Sequence, residues 1–164
     1  MTDKLLRPLP EIRHLRPQEI AETNAVINAA FSRYLALIGL STDSTPNPYD
    51  YLPAAVDDKR AWAALVDGEL VGVALVDAIS DKNWQIDLVG VLEDHAKSGI
   101  GRILMQRIET EARERHVTLM SLNTLEIAPW LWRFYQSLGF HITDRAPPKH
   151  GLDDNIRVYM EKPL

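Results

Sequence analysis

Between residues 61 and 112 the spacing of apolar side chains changes once, from alternation to the three-and-four rhythm of a helix, and the change falls on two glycines. "AWAALVDGELVGVALVDAI" (61–79) is two apolar runs around Asp67-Gly68, a pair suited to the positive φ angles of a tight hairpin turn. "WQIDLVGVL" (84–92) supplies a third strand, whose alternation puts Gln85, Asp87 and Val89 on one face and Ile86 and Leu88 on the other. Beyond "HAKSGIGRIL" (95–104), Ile100, Ile103, Leu104, Ile108 and Ala112 share one helical face, with Gln106, Glu109, Arg113 and Glu114 opposite. Three strands in succession without an intervening helix argue against a doubly wound sheet.

The rest of the chain extends this pattern. "EIRHL" (11–15) alternates as a short strand, and Ile20, Asn24, Ile27, Phe31, Tyr34 and Ile38 recur at helical spacing up to Gly39. "STDSTPNPYDYLP" (41–53) has loop composition and is too long for a simple connector, which makes it a candidate wall of a binding site. "VTLMSLNTL" (117–125) reads as a strand, Pro129 opens a helix that Gly139 closes, and "FHITDR" and "IRVYMEK" supply two last strands. The sum is an α+β or three-layer α/β fold, with one mixed, mostly antiparallel sheet of about seven strands flanked by helices. A length of 164 residues fits a single domain over 1–164.

Composition narrows the chemistry. A formal charge of -5 argues against non-specific nucleic-acid binding, so any phosphate recognition is local. The absence of cysteine removes disulfides, thiolate metal sites and a cysteine nucleophile. No apolar run reaches membrane-spanning length and the start lacks a signal-like apolar core, so a cytoplasmic protein without membrane contact is expected. His150, Asp153 and Asp154 match no defensible ligand spacing; a polar loop is expected there, and no metal.

A strand that ends at Leu92 and runs through Gly99 and Gly101 into a helix leaves several backbone N–H groups without helical partners. The helix end adds about half a positive charge. Lys97 and Arg102 contribute full charges, and together these suit a pyrophosphate. The competing reading is a tight connection with both cations merely solvated. The absence of any Gly-Lys pair weakens a P-loop reading, and Leu104 in the third glycine position weakens a dinucleotide fingerprint.

"VGVLEDHAKSGIGRILMQRIETEA" resembles the coenzyme-A motif of the GNAT superfamily of acyl-CoA-dependent N-acetyltransferases, [Q/R]-x-x-G-x-[G/A], and "APWLWRFYQSLGF" (128–140) resembles that family's helix before the penultimate strand. The resemblance spans about residues 11–162. It implies an acetyl-CoA cosubstrate and an amine acceptor, either a small molecule or a peptide or protein amine, attacked directly in a ternary complex; a homodimer is frequent in the family. By position it implies that the Val89 N–H polarises the thioester carbonyl and that Val91 bonds the pantetheine arm. Lys97, Ser98, Gly99, Ile100, Gly101 and Arg102 would hold the pyrophosphate, and Tyr135 would protonate the departing thiolate. The chain departs from the family pattern at Ala96, where Gln or Arg is preferred, and at Ala128, where Asn is common. An acyl-CoA-binding sensor or regulatory module with little catalysis is therefore the alternative.

The acceptor amine must lose a proton before attack, which calls for a carboxylate near the thioester. Asp87 is the candidate base; the other reading pairs it with a cation such as Arg133. Gln85 falls where some members of the family carry a glutamate base. Tyr34, Tyr49 and Asp50, with Tyr51 beside them, are candidate acceptor-binding residues. Tyr135 has a structural reading as well, as a core ring with a bonded hydroxyl. Trp130 and Trp132 are expected to point away from the core, to a partner or to the acceptor mouth.

Overall fold

A computed structural model describes residues 8–43 and 45–164. Its elements are β1 (Glu11–His14), a 3-10 turn (Pro17–Glu19), α1 (Ile20–Ala36), α2 (Leu52–Asp57), β2 (Ala61–Val66), β3 (Glu69–Ala78) and β4 (Asn83–Val91), then a second 3-10 turn (Glu93–His95), α3 (Ile100–Glu114), β5 (Leu119–Leu125), α4 (Pro129–Ser137), β6 (His141–Ala146) and β7 (Arg157–Pro163). The seven strands form one sheet in the order β1-β2-β3-β4-β5-β7-β6. Every pairing is antiparallel except β4 with β5. The expected mixed, mostly antiparallel sheet flanked by helices is therefore present. The short α2 was hidden in sequence by the Pro- and Asp-rich stretch before it.

Each face of the sheet carries its own core. On one side α3 and α4 cover Trp62, Trp84, Ile86, Ile100, Leu104, Ile108 and Met120; on the other, α1 and α2 cover Leu15, Val26, Ile27, Leu52, Val73 and Leu75. β2 and most of β3 are buried on both faces, which is why they read as apolar runs and not as clean alternation. Asp67 and Gly68 both take positive φ, 51° and 79°, as the hairpin turn requires. On α1 the buried stripe runs through Thr23, Val26, Ile27, Phe31 and Leu35, so Asn24 is exposed and not on the apolar face. Gly139, at φ 95°, closes α4: the Gly139 N–H donates to Gln136 O and the Phe140 N–H to Tyr135 O.

A bulge in β4 corrects the sequence alternation. Leu75 pairs with Leu88 but Val76 with Ile86, leaving Asp87 as the extra residue. The face order is shifted by one beyond it. Ile86, Val89 and Val91 lie towards α3, whereas Leu88 and Leu92 lie towards α1. Gly90 also faces α1, where a Cβ would stand 2.7 Å from that of Ala30, so this strand position has room only for glycine. Val89 and Asp87 thus do not share a face.

Candidate active site

β4 and β5 are partners only at Asn83↔Leu119, Trp84↔Met120 and Gln85↔Ser121. From Ile86 onward the two strands part, and a cavity of about 740 Å³ opens between them, walled by β4, β5, α1, α4 and the segments at 45–49 and 150–153. The Leu92 N–H donates to Val71 O at 2.8 Å, continuing the register Val73↔Gly90. By the alternation of an antiparallel ladder, Leu88 and Gly90 then spend their backbone groups on β3, and Val89 and Val91 turn theirs into the opening. Arg33 confirms that direction by donating to Val91 O at 2.6 Å. An extended amide-bearing chain would find a free strand edge here.

At the end of that edge the chain makes its turn into α3. Lys97 has φ 59° and Gly99 φ 86°, and Gly99 is the N-cap without a side-chain cap bond. The first N–H after the turn to reach a backbone carbonyl is that of Ile103, to Gly99 O at 3.1 Å. Among the described residues the N–H groups of Lys97 through Arg102 take no backbone partner, giving six consecutive donors around a helix start. A Cβ on Gly101 would lie 3.7 Å from both Phe134 Cζ and Val89 Cγ1, so the helix start rests against β4 and α4. The Ser98 hydroxyl donates to His95 O and braces the turn. The Arg102 guanidinium donates to Ser137 Oγ at 2.8 Å, so its charge is tethered to α4; Lys97 is exposed.

Tyr135 and Asp87 line the same cavity. The Tyr135 ring is held edge-on between Phe134 and Phe140, at centroid distances of 5.1 and 5.9 Å. Its hydroxyl takes no hydrogen-bond partner among the described residues, unlike that of a tyrosine bonded into a core. Burial, with nearby Tyr34 adding to it, pushes its pKa up to about 12 and keeps it protonated. Asp87 accepts hydrogen bonds from the Tyr51 hydroxyl on Oδ2 and from Gln85 Nε2 on Oδ1, the latter at 2.6 Å. Burial raises its pKa above the ordinary aspartate value, and the two hydrogen bonds pull against that rise.

Residues 26–140 match the model of the acetyltransferase (GNAT) family. The chain belongs to the GNAT family. Solved structures share the fold. yncA from Salmonella typhimurium, with its cofactor acetyl-CoA, aligns over 94% of each chain at 21% identity and a TM-score of 0.75. A ribosomal-protein-alanine N-acetyltransferase from Brucella melitensis aligns over 94% of this chain and 99% of its own at 22% identity, with a TM-score of 0.77. The paia N-acetyltransferase of Thermoplasma acidophilum, in complex with coenzyme A, aligns at 16% identity and a TM-score of 0.71 over 94% and 99% of the two chains.

Within this GNAT fold the remaining sequence expectations separate. Asp87 is not paired with Arg133, whose guanidinium lies 5.2 Å from the Trp132 ring centroid. Trp132 does not point outward: it packs on the core and donates its indole N–H to Glu126 O at 3.2 Å. Trp130 is exposed at the cavity wall, as expected. Tyr34, Tyr49 and Gln85 line the cavity. Asp50 is exposed and is not part of its wall; neighbouring Tyr51 reaches Asp87 instead. Ala96 lies on the wall with only a methyl group to contribute, and Ala128 is fully buried at the start of α4. Sequence reasoning missed Arg157 as a cavity residue; it is 3% exposed, lines the cavity and grips Asp153 through its two terminal guanidinium nitrogens at 3.1 and 2.8 Å. The "D-x-x-x-R" spacing was a signal, but a loop and a strand edge share it, so only the fold shows that it closes. Among the described residues no three His, Cys, Asp or Glu gather as a metal site, and no helix is long and apolar enough to cross a membrane.

Proposed function

We propose that this chain, acting as one GNAT domain, transfers an acetyl group from acetyl-CoA to an amine by direct attack in a ternary complex. The observation that carries the reading is the unpaired edge of β4, with amide donors aimed into the same cavity that holds an unbonded tyrosine hydroxyl and a half-buried carboxylate. Lys97 to Arg102 hold the pyrophosphate with backbone N–H groups, and Val91 bonds the pantetheine arm, sharing its carbonyl with Arg33. The Val89 N–H donates to the thioester oxygen and stabilises the charge that grows there. Asp87, directly or through a water, takes a proton from the acceptor ammonium. The amine nitrogen then bonds to the acyl carbon as the carbon–sulfur bond breaks; the Tyr135 hydroxyl protonates the departing thiolate, and the proton that the new amide nitrogen sheds passes to solvent, from which Tyr135 is reprotonated. No cysteine is present to carry the acyl group in between.

Tyr135→Phe tests this chemistry. It keeps the ring between Phe134 and Phe140, so acetyl-CoA affinity and thermal midpoint stay close to those of the parent while turnover falls about ten- to a thousand-fold. Undiminished turnover in the Phe variant overturns the proton-donor role. Acetyl-CoA binding with no transfer by the parent enzyme to any amine would favour the regulatory reading instead.

A further inference from the structure

We infer that the acceptor is a primary amine carried on an apolar, preferably aromatic, body with no carboxylate next to the amine. The inference rests on the acyl-transfer reading above and names the substrate class of that site. Three observations converge on it.

The first is the mouth of the cavity. Six large hydrophobic side chains are exposed among the described residues, and three of them, Leu37 at 39%, Trp130 at 60% and Leu152 at 55%, line this one cavity. They come from the end of α1, the start of α4 and the segment before β7, so their convergence is a property of the fold and not of a local apolar run. Exposed apolar surface gathered at one opening marks a place where apolar ligand is received. The second is the lining. Phe31 and Tyr49 meet edge to face at 5.4 Å, and with Tyr34, Tyr135, Leu35, Leu40, Pro46 and Pro48 they give the acceptor side an aromatic and aliphatic wall.

The third is the charge balance. The charged side chains on the wall are Arg33, Asp87, Asp153 and Arg157, with His150 as the remaining titratable base. Arg157 and Asp153 neutralise one another in a two-pronged pair that is nearly fully buried. Arg33 is committed to Val91 O, at the cradle end. His150 accepts the Leu152 N–H on Nδ1 at 3.0 Å, in the outer loop. That leaves Asp87, whose contacts, Tyr51 and Gln85, are both neutral; Arg60 and Asp77 act on it from further away and with opposite signs. A carboxylate without a cation, facing aromatic rings, is matched by an ammonium group on an apolar body. A carboxylate beside that ammonium would find the buried arginine already saturated and would be set against Asp87.

The test is binding to the protein loaded with coenzyme A, followed by calorimetry, with phenethylamine, phenylalaninamide and phenylalanine as one series and putrescine as a polar amine. Phenethylamine is expected to bind at least about tenfold tighter than phenylalanine and than putrescine, with phenylalaninamide between. Leu37→Glu and Leu152→Glu, which lie outside the reacting groups, are expected to weaken phenethylamine and leave coenzyme A affinity unchanged. Equal or tighter binding of phenylalanine or putrescine overturns the inference, whatever the turnover. Tight phenethylamine binding without acetylation keeps the ligand class of the cavity and removes the acyl-transfer reading; acetylation of putrescine or phenylalanine with no phenethylamine binding does the reverse.

Discussion

At the donor end of the cavity the groups offered to a ligand are backbone amides, on Val89, Val91 and the run from Lys97 to Arg102. At the acceptor end they are side chains, drawn from α1, the segment at 45–51, the bulge at Asp87, α4 and the stretch at 150–157. The two ends differ in what holds them. The donor end is set by one local event, the passage from β4 through a glycine turn into α3, and needs only that β5 stay away from β4 beyond Gln85. The acceptor end requires five separate segments to arrive together. A backbone-made site tolerates changes of side-chain charge and fails when the turn itself is filled; a side-chain-made site fails one hydrogen bond at a time.

The largest effect is therefore expected from filling the donor turn. Gly101 does not need a positive φ, and a Cβ there would make only ordinary contacts with Phe134 and Val89, so Gly101→Glu is expected to fold with an unchanged circular dichroism spectrum. Its longer, negatively charged side chain would occupy the space in front of the six amide donors. Acetyl-CoA affinity, measured by calorimetric titration, should fall on the order of a hundredfold or more, about 3 kcal/mol. Retained affinity in the folded variant would show that the turn only connects strand to helix.

At the acceptor end a single hydrogen bond is the natural unit. Tyr51→Phe removes the donor to Asp87 Oδ2 and leaves Gln85 on Oδ1. Burial has already raised the Asp87 pKa, and the Tyr51 bond opposes that rise, so its loss raises the pKa further. Less of the carboxylate is then ionised at a given pH. The acid limb of the kcat/KM profile moves to higher pH, turnover on that limb drops several-fold, and acetyl-CoA affinity is unchanged. A limb that does not move would mean that Asp87 is not the titrating base. The linkage to stability has a definite sign too. Because the folded-state pKa of Asp87 lies above the unfolded one, this residue's contribution to stability declines as pH rises from the ordinary aspartate range through the raised value. Glu19 behaves oppositely: the Arg13 guanidinium holds its pKa down at about 2, and the stability it gives is lost as pH falls towards that value.

The same division decides how much was legible in the sequence. The sheet, the hairpin at Asp67-Gly68, the α3 face and the Gly139 cap follow from short-range pattern, because each is fixed by residues within one or two turns of one another. The glycine turn from β4 into α3 was legible for the same reason. Asp87 shares its face with Gln85, as alternation predicts and their hydrogen bond shows, but the bulge turns Val89 to the other face; a one-residue shift of this kind leaves no trace in alternation between two strands that are both apolar. Loop composition marks Asp50 and Tyr51 alike as candidates, and which of the two meets Asp87 is set by where α2 begins. Arg157 was invisible as a cavity residue since its burial depends on β7 lying between β5 and β6.

The smallest effects are expected where the donor end carries formal charge. Arg102→Ala removes a guanidinium that is already tethered to Ser137 Oγ and stands 5.9 Å from the Phe134 ring centroid, so the cation is not free to follow a phosphate. Lys97→Ala removes an exposed ammonium on a residue whose own N–H remains in the cradle. Exposed charges at a helix start contribute about 0.3–1 kcal/mol, so each variant should lose less than about tenfold in acetyl-CoA affinity. Salt separates the two contributions: near 1 M ionic strength the Debye length shrinks to about 3 Å, and the difference between Lys97→Ala and its parent should close, because mobile charge is screened. The loss in Gly101→Glu should persist, because a filled turn is not relieved by salt. A Lys97→Ala or Arg102→Ala effect as large as that of Gly101→Glu would mean that side chains, and not the β4-to-α3 backbone, hold the pyrophosphate, and the contrast between the two ends of the cavity would fall with it.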